Sequence, residues 1–201
     1  MTRNDKKFIQ FVKDECAKYG VTCDLRDTTY VKLSPTIHCA GWFDSDDKRL
    51  VVSMKRKDAL SILVHEYAHL TQWQDALKGK FDLWNMSATS LYRVDAWLRG
   101  KRIHRIHHHL SITRDLELDN ERRSVKLIKR FGLSIDTKTY IRRANAYVHL
   151  YNWMYYTRRW SKPNNSPYSN IQVLNEMSTK FNMNYSAMST KVYNAFYEAN
   201  I

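Results

Sequence analysis

The segment SILVHEYAHLTQW, residues 61–73, sets two histidines four residues apart, with a glutamate directly after the first, in a stretch that otherwise reads as a buried helix. A chain that brings His65, Glu66 and His69 into such a run must meet their charge and hydrogen-bonding needs inside the fold. Residues four apart on a helix lie one turn above each other on the same face, so His65 and His69 offer imidazole nitrogens to one point in space. Glu66 lies about 100° round the helix from His65, beside that point rather than on it. Two neutral imidazoles, an adjacent carboxylate and an open position are what a hydrolytic zinc centre requires. Zinc brings the pKa of its bound water down to about 7. Glu66 is then the group to take that water's proton and deliver it to a leaving amine. A pair of satisfied core histidines is the plainer alternative. The position of the motif, mid-helix and after a strand, favours the metal.

The rest of the chain sets the frame for that helix. Residues 5–19 carry apolar positions at helical spacing and end at Gly20. VTCDLR, TIHCAGWFD and RLVVSM read as strands, the last two joined by the polar turn SDDK. The motif helix runs from about Asp58 to Lys78 and closes at Gly79. Helices follow over 84–98, from Ser111 or Thr113 to Phe131, and from an N-cap at Asp136 to about Trp160. After the linker SKPNNSPYSN come two shorter helices, 171–181 and 186–199. The expected class is α+β: a small antiparallel sheet packed on the motif helix, then a mostly helical C-terminal half. Residues 1–160 form the domain that carries the motif, and 161–201 a helical extension packed on it.

Composition narrows the classes further. At 43% hydrophobic residues the chain builds a real core, which argues against global disorder. Lys and Arg number 33 against 20 Asp and Glu, a net charge of +13 that favours an acidic partner such as nucleic acid or an acidic protein surface. The opening MTRNDKKFIQF has no signal-like apolar core, and no run approaches the length of a membrane span. Three cysteines without a CxxC pair suit a reducing compartment, so a cytoplasmic location is expected.

A catalytic zinc site wants a third protein ligand. A third histidine six residues on, after a glycine, is excluded because LTQWQD follows His69. The candidates are the cluster HRIHHH (His104, His107, His108, His109) and the acidic stretch DLELDNERRSVKLI. On that second helix Leu118, Val125 and Ile128 make the apolar stripe; Glu121 falls on it and Glu117 lies one turn before. Arg122, Arg123, Lys126, Lys129 and Arg130 project mainly from the other sides. Two carboxylates flush with an apolar stripe are costly unless something cationic meets them, and zinc with its histidines is such a partner. Surface acids paired with neighbouring arginines are the alternative.

HExxH over 60–73 followed by ELDNERR within 115–125 resembles the gluzincin group of zinc metallopeptidases. The resemblance implies that Glu117 is the third ligand and Glu121 the acid behind a ligating histidine. Glu121 stands where Asp is more usual, which leaves open whether it is itself the ligand. The chain as a whole also resembles metallopeptidase-like proteins of tailed bacteriophages, which would place it in a host cytoplasm or a virion. The implied activity is peptide-bond hydrolysis with Zn2+ as cofactor and a protein or peptide as substrate. The edge strand around Leu50–Met54 is expected to pair with that substrate.

Two other readings stand beside it. HEYAHLTQW and the basic charge are similar to SprT-like DNA-associated proteases, which use a third histidine in a Gly-His-Gly context that is missing here. A non-catalytic protein with the same fold, binding nucleic acid or a virion partner through its basic, aromatic helices, is the other. RGKRIHRIHHH, with Lys101, Arg102 and Arg105, is a phosphate-binding candidate or a solvated helix edge. The series Tyr147, Tyr151, Trp153, Tyr155, Tyr156 and Trp160 is at helical spacing and reads as packing surface, a partner interface or a base-stacking face, with one tyrosine as a candidate oxyanion donor.

Overall fold

The computed structural model describes residues 1–34, 37–162 and 164–201. The class is α+β. Among the described residues, seven helices and five short strands follow in the order α1 (Arg3–Lys18), β1 (Thr22–Arg26), β2 (Val31–Lys32), β3 (His38–Cys39), β4 (Gly41–Asp44), β5 (Arg49–Ser53), α2 (Ala59–Leu77), α3 (Asp82–Leu98), α4 (Ile106–Phe131), α5 (Thr137–Thr157), α6 (Ile171–Glu176) and α7 (Thr190–Glu198). Among the described residues no helix is long and apolar enough to cross a membrane. The chain divides into two compact units, Met1–Phe81 with Arg122–Thr137, and Asp82–Glu121 with Lys138–Ile201.

The first unit is built on β5, with α2 packed on β4 and β5 and α1 beside β1 and α2. Its sequence RLVVS is buried from Leu50 to Ser53, as expected of a strand covered on both faces. β5 is flanked by β1, parallel to it in register Thr22↔Arg49 to Arg26↔Ser53, and by antiparallel β4, from Gly41↔Val52 to Asp44↔Arg49. The sheet is therefore mixed, not purely antiparallel. The parallel pair arises because the segment between β1 and β5 returns through the small antiparallel ribbon β2–β3 before β4 enters the sheet. β5 is also the central strand, so the expected edge at Leu50–Met54 is wrong and the edges are β1 and β4. The strand expected over TIHCAGWFD is broken at Ala40 into β3 and β4, and its first residue, Thr36, lies outside the described residues.

Helix α1 starts at a capping box, in which the Thr2 hydroxyl accepts from the Asp5 amide and the Asp5 carboxylate accepts from the Thr2 amide. Asp5 is fully buried and also accepts from the Ser134 amide and hydroxyl, at 2.9 and 2.6 Å. Burial alone would raise the Asp5 pKa, but the hydrogen bonds from Ser134 and Thr2 outweigh it and bring the carboxyl down to about 2. Phe8, Phe11, Tyr67 and Phe131 join α1, α2 and the end of α4 in one aromatic cluster, with ring centroids 4.8 to 6.0 Å apart. Arg123 of α4 donates to Asp75 of α2 at 2.6 Å and lies over the Phe81 ring at 5.0 Å.

The second unit is helical. Val94, Trp97, Leu110, Leu150, Trp153, Met154, Val173, Phe196 and Ile201 form its core, so residues after 160 share a core with α3, α4 and α5. Asn145 in α5 donates to the carbonyls of Ser178 and Lys180, and its own carbonyl accepts from the Tyr185 hydroxyl, which ties the loop after α6 to the helix.

Candidate metal centre

Helix α2 is apolar on most sides, with Leu63, Val64, Tyr67, Ala68 and Leu70 all buried. His65 and His69 interrupt that pattern without entering the core: both are half-buried. With Ile62, also half-buried, they form a stripe at three- and four-residue spacing. Their ring centroids are 4.8 Å apart and the rings nearly perpendicular. The opening puzzle of the sequence is answered by this stripe, since the histidines occupy its partly open face and leave the apolar faces to the sheet.

Nδ1 of His69 lies 2.9 Å from Oε1 of Gln72, one turn on. An amide oxygen only accepts, so Nδ1 carries a proton, and the neutral form of this ring offers its lone pair at Nε2. Gln72 is fully buried, which holds the ring in that orientation, as carboxylates and carbonyls do behind metal-ligating histidines. Gln72 was missed in the sequence; its signal was the three-residue step from His69 on the same face.

Glu66 is 7% exposed and turned toward the sheet. Helix and strand approach so closely there that a Cβ on Gly41 would stand 2.8 Å from Cγ2 of Ile62, 2.9 Å from the Val51 carbonyl and 3.2 Å from Cγ of Glu66. The Cys39 thiol records the same neighbourhood, pushed up to about 11 by burial and by the negative charge of Glu66.

Glu117 and Glu121 occupy consecutive turns of α4 and are both buried, at 7% and 5% exposure. One donor atom each of His65, His69 and Glu117 lies within 4.8 Å of the others. Glu121 is not in that group, and neither is any of His104, His107, His108 and His109. Two imidazoles and one carboxylate make a nitrogen and oxygen set of the kind that fits Zn2+ with a coordination position left over. The Tyr147 and Tyr151 hydroxyls are 3.3 Å apart. Burial first, and then the charge of Glu117, hold both well above the usual phenol range, so they are hydrogen-bond donors at neutral pH.

The histidine cluster is otherwise employed. α4 begins at Ile106, five residues before the expected start at Ser111, and takes in His107, His108 and His109. His109 is buried, with Nδ1 3.2 Å from Ser90 Oγ and Nε2 3.1 Å from Arg93 Nη1. A guanidinium only donates, so Nε2 accepts and the ring is neutral. Burial, and then the charges of Arg93 and His108, lower its pKa accordingly.

No family model, no curated protein and no solved structure matches the chain.

Proposed function

We propose that the protein is a zinc-dependent peptidase, with His65, His69 and Glu117 as metal ligands, Glu66 as general base and Glu121 as an acid that positions a ligand. The observation that supports this most is the meeting of the His65, His69 and Glu117 donor atoms within 4.8 Å, with Glu66 adjoining His65 in the chain. Zinc bound there supplies Lewis acidity and a water whose pKa is near 7. Glu66 accepts the proton of the attacking water and returns it to the departing nitrogen, so the C–O bond forms, the C–N bond breaks, and carboxylate and amine leave. Gln72 keeps His69 in the tautomer that ligation needs. Tyr147 or Tyr151 donates to the carbonyl oxygen as charge develops on it, the role of an oxyanion donor. β4, an edge strand packed against α2 at Gly41, takes the role first given to Leu50–Met54 and adds an extended substrate by backbone pairing.

Elemental analysis and an activity screen test this reading together. Reconstituted protein is expected to hold about one zinc per chain, and the double variant His65→Ala, His69→Ala none. Glu66→Gln should keep zinc and fold while peptide cleavage falls by about 100- to 10,000-fold. Absence of zinc after reconstitution would sink the site. Full activity in Glu66→Gln would mean that another group is the base.

A further inference from the structure

The second unit carries a surface of which the proposed peptidase chemistry uses at most Tyr151, a residue that also lines its cavity. Residues 137–175 contain no Asp or Glu but include Lys138, Arg142, Arg143, Arg158, Arg159 and Lys162. At the C-terminal end of α5 the large rings of Tyr155, Tyr156 and Trp160 stay 47%, 56% and 44% exposed. His107 meets Tyr155 edge-on at 5.1 Å, Tyr155 meets Tyr156 at 5.7 Å, and Tyr156 meets Tyr193 at 5.6 Å, a continuous row of rings. Beside the row opens a small, partly open cavity, whose lining includes His107, Ser111, Arg114, Asn152, Tyr155 and Tyr156.

Arg114 is 7% exposed at this cavity. Its Nε and Nη2 donate to Asp115 Oδ1, both at 2.9 Å, and its Nη1 to Asn152 Oδ1 at 3.2 Å. Those bonds use three of the five guanidinium N–H groups among the described residues. Next to the cavity α4 presents its N-terminal end, where the preceding segment holds Lys101, Arg102 and Arg105 and the first turn has no acidic residue. Cations gathered at the positive end of a helix raise its energy unless an anion answers them.

We propose that this face binds single-stranded nucleic acid. Bases stack on Tyr155 and Tyr156, a backbone phosphate sits at the mouth of the cavity to meet the remaining Arg114 donors, and Arg102 and Arg105 neutralise flanking phosphates. Cations alone would serve an acidic peptide equally well, but a row of exposed rings beside them favours unpaired bases, whose flat faces can stack on the rings while their phosphates meet the cations. A duplex hides those faces in its own stack.

Fluorescence anisotropy with a labelled oligothymidylate tests the assignment. If three phosphates are neutralised, affinity should fall about 20-fold between 50 and 200 mM salt. Tyr155→Ala and Tyr156→Ala should each weaken binding about tenfold, while Tyr155→Phe and Tyr156→Phe keep it, because the ring and not the hydroxyl does the stacking. Both side chains are exposed, so neither change threatens the fold. No binding at 50 mM salt overturns the proposal. So does binding that duplex DNA or polyglutamate displaces equally well and that the alanine variants leave unchanged, since that pattern is charge alone. Zinc content is unaffected in every arm, so this result stands apart from the peptidase reading.

Discussion

Both units carry histidines in helices, and they set them in opposite surroundings. In the second unit His149 is 3% exposed, packed 5.1 Å from the Tyr185 ring, with Nδ1 near the Asn152 amide. Burial, and then the charge of Arg114, bring its pKa down to about 4. His109 is engaged at both nitrogens by Ser90 and Arg93. These are neutral core histidines satisfied by protein groups. In the first unit His65 and His69 are only half-buried, stand one turn apart, and the Gln72 contact fixes the His69 tautomer so that its lone pair lies on Nε2. A histidine on an apolar helix is thus uninformative by itself. What distinguishes the candidate pair is its spacing, its partly open face and a buried acceptor behind the ring.

The sharpest way to break this contrast is at the carboxylates and at Gln72. Glu117→Ala is expected to lose most of its zinc. Glu121→Ala and Gln72→Ala should weaken zinc affinity about 10- to 100-fold yet still load at saturating metal, as losses behind a ligand do. His109→Ala should leave zinc affinity unchanged. Competition with a chelator reads all four. Should Glu121→Ala be the variant that cannot be loaded, the two glutamates exchange roles; should His109→Ala release the metal, the contrast itself fails.

Acid separates the units next. The folded protein holds His149 neutral, whereas the unfolded chain protonates near pH 6.5, so its contribution is full above that pH. It is lost as pH falls from about 6.5 to about 4, a loss of about 3 kcal/mol for a shift of this size. Asp5 behaves differently, since its lowered pKa contributes stability above about pH 4 that disappears only as pH falls toward 2, about 2 kcal/mol. Hydrogen exchange of chelator-treated protein at pH 4.5 should therefore show the second unit loosened while the Asp5–Ser134 tie of the first persists. Uniform loosening of both units at that pH would contradict the assignment.

The smallest effect is steric. Gly41→Ala puts a methyl into the contact of β4 with Ile62 and the Val51 carbonyl, and should cost about 1–3 kcal/mol. Urea unfolding measures it. An unchanged midpoint would mean that α2 and β4 are not pressed together there, and Glu66 would lose its fixed setting.

The sequence by itself determined the parts whose causes lie within a few residues. Gly20, Gly79 and Gly132 end α1, α2 and α4 in left-handed backbone, at φ 67°, 65° and 57°, and each was readable as a stop. The four-residue step of His65 and His69 was equally local, because a helix turns the spacing directly into a shared face. The start of α4 was not readable, since the basic run before Ser111 reads as loop and only the burial of His109 against Ser90 and Arg93 draws the helix back to Ile106. β2 was invisible because two residues carry no alternation. Strand order belonged to the tertiary structure as well. RLVVSM is equally compatible with an edge or a centre, and only pairing with β1 on one side and β4 on the other made it central. The same holds for the third ligand. Glu117 and Glu121 have nearly equal local patterns, and the preference for Glu117 rests on donor atoms that lie some 50 residues apart in the chain, which no short-range preference encodes.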